Sequence, residues 1–118
     1  MDLQIIRVDD KGEESESVLL KATEDIENLE FYVLCDTTYL DDDHISNELR
    51  HMYWFPKRAL SAGDFVRLYT GTGKNTKFEN KAGTMTHVLY WDVGRTIWNK
   101  KEDIAVLLGL SGWQSKRT

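Results

Sequence analysis

A chain of 118 residues with 41% hydrophobic and 30% charged side chains is long enough to bury a core of its own and too apolar to remain disordered. A single cysteine, Cys35, excludes an internal disulfide and the zinc sites built on cysteine pairs. The net charge of −5 hides a polarity: residues 1–48 hold fifteen acids and three bases, whereas residues 49–118 hold five acids and twelve bases.

Such a polarity has two readings. The second half presents an anion-binding face, or strands from both halves interleave and the opposite charges meet across neighbouring strands. The second is the simpler in a β protein. The start, Met1-Asp2-Leu3-Gln4-Ile5-Ile6, lacks the basic flank and long apolar stretch of a signal peptide. No apolar run approaches the ~20 residues that span a bilayer. A reducing cytoplasm is the expected compartment, with no membrane association.

In chain order, Leu3 to Val8 is apolar and β-branched, and Asp9-Asp10-Lys11-Gly12 follows as a turn. Ser17 to Ala22 gives a second strand and Glu24 to Asn28 a polar connection. Leu29, Phe31, Val33 and Cys35 alternate, which predicts a strand with these four on one face and Cys35 as a small buried hydrophobe. Asp43 to Met52 sets Ile45, Leu49 and Met52 at helical spacing behind Asp42 or Asp43 as a cap, predicting a short helical insertion near 43–51. Gly63-Asp64 opens a strand over Phe65 to Thr70, and Thr86 to Trp91, Arg95 to Trp98 and Ile104 to Leu108 complete the set. Pro56 sits at a strand end, and 114–118 reads as a polar tail. Short strands between Gly, Asn and Asp turns predict an all-β sandwich of seven or eight strands in one domain over 1–118.

The second half carries a connected phrase. Tyr53-Trp54-Phe55-Pro56 precedes Leu60-Ser61-Ala62-Gly63-Asp64-Phe65-Val66-Arg67-Leu68-Tyr69-Thr70-Gly71. Tyr90-Trp91, Ile97-Trp98-Asn99 and Asp103-Ile104-Ala105-Val106-Leu107 follow. This resembles the lamin tail domain as it occurs in bacteria, over residues 53–108. Val18-Leu19-Leu20 and Glu24 to Leu29 resemble its earlier strand and connection more loosely. Ala62 stands where that family often has proline, Lys100-Lys101-Glu102 replaces a small turn, and Asp36 to Met52 is longer than its counterpart. The resemblance implies an immunoglobulin-like sandwich used for interaction or attachment, not for chemistry.

Several motifs invite a sharper reading. Thr70-Gly71-Thr72-Gly73-Lys74-Asn75-Thr76 suggests a phosphate loop, but Leu68 stands at the first required glycine and Asn75 at the metal-binding hydroxyl. A hairpin loop is the better description. His44, Glu48 and His51 would share a helix face, yet their spacing is not that of a zinc helix, and a solvated face opposite Ile45, Leu49 and Met52 is the simpler account. Asp41-Asp42-Asp43 lacks the alternation of a calcium loop. His87 alternates with Val88 as a strand histidine, and no nucleophile pattern is present.

No catalytic residue, metal or other cofactor is expected. The leading expectation is a non-enzymatic interaction module whose partner is a protein or a second copy of the chain. The alternative is nucleic-acid binding through the basic second half, with Arg67, Lys74, Lys77, Lys81, Arg95, Lys100 and Lys101 on phosphate and Tyr69 or Trp98 stacking on bases. The six most prominent candidates for an anion- or partner-binding surface are Arg67, Lys74, Lys77, Arg95, Lys100 and Lys101. A small enzyme with an unrecognised site ranks last.

Overall fold

The runs of β-branched, aromatic and leucine residues between turn signals fold as strands throughout the computed structural model, which describes residues 1–38, 45–46, 48–98 and 103–118. In chain order these are β1 (Leu3–Asp9), β2 (Ser17–Ala22), β3 (Tyr32–Thr38), β4 (Arg50–Trp54), β5 (Phe65–Tyr69), β6 (Thr76–Glu79), β7 (Met85–Tyr90) and β8 (Asp103–Gly109). Among the described residues the one helical element is a 3₁₀ turn over Leu29–Phe31, capped by Asn28, whose side chain accepts from the Glu30 amide.

The strands form two sheets, one of order β1-β2-β5-β7-β6 and one of order β4-β3-β8. Period-two alternation sets one face of each inward. Leu3, Val18, Leu20, Val66, Leu68 and Leu89 from the larger sheet meet Tyr32, Leu34 and Leu107 from the smaller, with Phe55, Ile97 and Trp98 filling the ends of a shared core. The architecture is therefore a two-sheet β-sandwich. β2 and β3 are central strands, which is why their residues are buried almost without interruption. β1 and β2 from the acidic half pair with each other, and β2 lies beside β5 from the basic half, so the two halves of the chain do interleave.

β5 and β7 pair in parallel, with Leu68 opposite Leu89. The chain leaves β5, forms β6 at the sheet edge, and returns as β7 between them. The segment Thr70 to Asn75 is thus a crossover connection, not the loop of a hairpin, because β5 and β6 are not neighbours. A β strand follows it, where a phosphate loop needs a helix. Gly73 is required there for space: a Cβ at that position would run into the ring of Tyr90. The true hairpin joins β6 to β7, its turn held by Asn80, whose side-chain oxygen accepts from the amides of Ala82 and Thr84.

Three local expectations are corrected. The helix over 43–51 is absent from its described part: Ile45, Ser46, Glu48 and Leu49 are non-helical, and Arg50 and His51 belong to β4. Residues 43, 44 and 47 lie outside the described residues, as do Asp41 and Asp42. The carbonyls of Ser46 and Glu48, which a helix would use internally, accept from the Thr37 hydroxyl instead. Arg95 to Trp98 is no strand, although Ile97 and Trp98 are buried. The strand expected from Leu29 begins only at Tyr32, so its four alternating residues part company. Leu29 enters the core, Phe31 is 37% exposed, and Val33 and Cys35 lie on the face of β3 opposite Tyr32 and Leu34. Finally, β4 and β6 were not expected.

Glu16 explains why the 91–98 segment lies where it does. The carboxylate is fully buried and accepts from the amides of Gly12, Ile97 and Trp98 and from the hydroxyl of Thr70. A buried carboxylate is tolerated when donors surround it. One side chain thereby ties the start of β2 to the end of β5 and to the Trp98 backbone. The Trp98 indole is buried beside Trp91, with ring centroids 5.9 Å apart.

Candidate functional site

Among the described residues, the basic candidates occupy several different surroundings, with Lys81 lining a cavity beside Arg67 and Arg95 one beside Tyr69 and Tyr90. Arg67 points from the outer face of the larger sheet, where it donates to Asp9 at 2.9 Å and to the Ser17 hydroxyl at 2.8 Å. That contact holds the Asp9 carboxyl below the usual carboxylate range. Lys77, on β6 opposite His87, lines a different cavity with Arg58. Lys74 is an exposed residue of the crossover loop, and Arg95 lies near β4. Lys100 and Lys101 lie outside the described residues. Aromatic rings do accompany bases on the outer face of the larger sheet: Tyr69 and Tyr90 stack at 5.2 Å, and the Lys21 ammonium sits 5.5 Å over the Phe65 ring.

Two histidine clusters, one buried and one partly exposed, were not legible in the sequence. His87 is 4% exposed and receives Arg58 Nη1 at Nδ1, 3.3 Å away, with Asp64 Oδ2 3.7 Å from Nε2. A guanidinium can only donate, so Nδ1 accepts and Nε2 carries the proton. Burial, reinforced by Arg58, pushes the imidazole below its ordinary range, against the opposing pull of Asp64. Asp64 is itself fixed by the amides of Ser61 and Met85.

The second cluster sits where β4 departs from regular pairing. The register with β3 shifts between Leu34 and Asp36, and His51 adopts φ 45°. His51 Nδ1 lies 2.8 Å from Oδ1 of the buried Asp36, and Arg95 Nη2 lies 2.8 Å from His51 Nε2. Arg50 Nη2 is 3.7 Å from the other Asp36 oxygen. His51 is therefore part of an edge-strand cluster, whereas its expected helical companion His44 lies outside the described residues. Among the described residues no group of three or more metal-ligating side chains converges.

Beside these polar clusters the smaller sheet offers an apolar surface. On its outer face Trp54, Val33 and Leu108 form one row across the three strands, and Cys35 pairs with Val106 in the next. The Cys35 thiol is buried, which pushes it up from its ordinary value. Met52, Trp54 and Trp113 are 55%, 49% and 45% exposed, and the Trp113 ring packs edge-on against both Phe31 and Trp54 at 5.2 Å.

The four sheet edges differ in how they are protected. Isolated strand edges invite further strands unless bulges, charges or shortness prevent it. β1 carries a register break between Ile5 and Arg7, β4 carries the break at His51, and β6 is four residues long with Lys77 and Glu79. β8 has no bulge, is seven residues long and carries its one charge, Asp103, at its first position. It pairs with β3 through seven unbroken positions and reads Ile104-Ala105-Val106-Leu107-Leu108 between Asp103 and Gly109. Among the described residues no strand pairs with its outer edge.

No described helix is long and apolar enough to cross a membrane. Comparison with family models, with curated proteins and with solved structures finds no match to this chain.

Proposed function

We propose that this chain is a lamin-tail-like, immunoglobulin-like module of the cytoplasm that acts by self-association, not catalysis, through the outer edge of β8. The observation that carries this reading is that edge: seven residues without a bulge or a proline, whose one charge, Asp103, stands at the first position, beside an apolar outer face. Main-chain hydrogen bonds across such an edge supply affinity, and side chains on the adjoining face supply specificity.

A second copy is the occupant that the strand suits best. Antiparallel pairing of two β8 strands about a two-fold axis at Val106 sets Asp103 of one copy opposite Gly109 of the other. The strand's only charged residue then meets no like charge. The pairing extends each three-stranded sheet into one of twice the width and makes the two apolar outer faces continuous.

The lamin-tail half of the proposal is supported by where its phrase falls. Phe55, Leu60, Val66, Leu68, Ile97 and Trp98 are all buried, so a large part of the phrase that carries the resemblance builds the core. A nucleic-acid role draws support from Tyr69 and Tyr90, which line a cavity with Arg95, and from the Lys21–Phe65 pair, but Arg67 is already engaged by Asp9 and Lys77 lines a separate cavity.

Sedimentation over a concentration series reaching about 1 mM tests self-association. The wild-type chain is expected to dimerise. Val106→Lys and Leu108→Lys, which place a protecting charge on the edge strand, are expected to sediment as monomers while keeping a β-type circular dichroism spectrum. A wild-type chain that stays monomeric throughout, or folded lysine variants that dimerise as the parent does, would overturn the proposal.

A further inference from the structure

We infer that the corner formed by Asp36 of β3, Arg50 and His51 of β4, and Arg95 binds a tetrahedral oxyanion of the phosphate or sulfate type, and that His51 takes up a proton as it binds. The site is separate from the β8 edge, and neither reading depends on the other.

Arg95 can only donate, so its 2.8 Å contact requires a lone pair on His51 Nε2, and the ring proton sits on Nδ1, facing Asp36. The imidazole is thus neutral, held on one side by a buried carboxylate and touched on the other by a solvent-facing cation. His51 holds this pose from the left-handed region, at φ 45°. A non-glycine residue kept there costs on the order of 1 kcal/mol, and such strain is characteristic of sites that aim a side chain.

The surroundings suit an anion. A cavity of about 300 Å³ opens here, lined by Arg50, His51, Arg95 and Thr96, with Asp36 at its base and Asp103 at its rim. Arg50 has half its side chain in solvent, and its nearest guanidinium nitrogen is 3.7 Å from Asp36, beyond a close hydrogen bond. Both guanidinium groups can therefore turn donors toward a ligand. Among the described residues, the polar groups that line this cavity with His51 are Asp36 from β3, Arg50 from its own strand, Arg95 and Thr96 from the 91–98 segment, and Asp103 from β8.

With His51 neutral, the two arginines and two aspartates cancel. An approaching oxyanion draws Arg95 away from Nε2, because a charged acceptor binds a guanidinium more strongly than a neutral imidazole does. Nε2 is then free to take one proton from solvent. The imidazolium remains paired with Asp36 through Nδ1–H and turns its new Nε2–H to the anion. Two guanidinium forks, one imidazolium N–H and the Thr96 hydroxyl can then surround a tetrahedral acceptor, a better match than a planar carboxylate provides. Linkage follows: one anion in, one proton in, and affinity rising as pH falls.

Titration calorimetry of the full chain with sulfate, which itself takes up no proton between about pH 5.5 and 8, provides the test. Two buffers of different ionisation enthalpy separate proton uptake from binding heat. Sulfate and inorganic phosphate are expected to bind, sulfate about tenfold more tightly for each pH unit lowered within that window, with close to one proton taken up per anion. Arg95→Gln is expected to weaken binding about tenfold, and His51→Gln to abolish the pH dependence. If His51→Gln does not fold, the proton count on the wild-type chain and the Arg95→Gln affinity carry the test. Absence of sulfate binding, binding without proton uptake, an unchanged affinity in folded Arg95→Gln, or acetate binding as tightly as sulfate would each overturn the proposal.

Discussion

Glu16 and Trp98, 82 positions apart, are joined by a hydrogen bond from the Trp98 amide to a carboxylate oxygen 3.2 Å away. The other oxygen accepts from the Ile97 amide at 2.7 Å. Two backbone donors that would otherwise join a sheet ladder are satisfied by one buried side chain, and the segment is thereby held against the core without becoming a strand.

Glu16→Ala is expected to destabilise the fold by at least about 3 kcal/mol, because it leaves several buried donors unpaired at about 1–3 kcal/mol each. Urea denaturation followed by tryptophan fluorescence measures this. A loss below about 1 kcal/mol would show that water replaces the carboxylate without penalty.

Trp98→Ala removes the largest fully buried side chain, and its cost is expected to be about 3–5 kcal/mol. Trp54→Ala provides the contrast: Trp54 is 49% exposed, and its truncation is expected to cost less than half as much. Equal losses in the two variants would contradict the assignment of Trp98 to the core and Trp54 to the surface.

His87 gives stability a pH dependence of definite sign. Burial lowers its folded value below the ordinary imidazole range, so the unfolded chain binds its proton first. The contribution of His87 is fully present above about pH 6.5 and is lost as pH falls from there through the lowered folded value. Melting curves across this window are expected to fall with acidification, and to fall less steeply in His87→Asn. A parallel fall in both proteins would assign the effect to other groups.

Nucleic acid is expected to bind weakly and without sequence preference. The chain carries a net charge of −5, and Arg67, Lys77 and Arg95 occupy separate surroundings. Titration of labelled single- and double-stranded DNA and RNA at low and physiological salt measures this. Submicromolar binding that persists at physiological salt and falls on reversing Lys74, Lys77 and Arg95 would make the basic half a binding site after all.

The strands that alternate or run apolar were legible in the sequence. β1, β2, β5, β7 and β8 bury side chains at local spacings, and local spacing is what periodicity reports. β6 escaped because all four of its residues are exposed. β4 escaped because Ile45, Leu49 and Met52 mimic a helix face, while its pairing with β3 lies outside any local window of sequence. Arg95 to Trp98 had a strand's composition, but its amides go to Glu16, a contact that no local pattern encodes. Burial of Cys35 and the apolar character of β8 were read from composition alone. That Asp36, His51 and Arg95 meet, that Arg67 is neutralised by Asp9, and that β8 falls at an edge were decided only by strand order. Pairing brings together residues of wide sequence separation, and a sequence records which residues prefer burial, not which neighbours they will find.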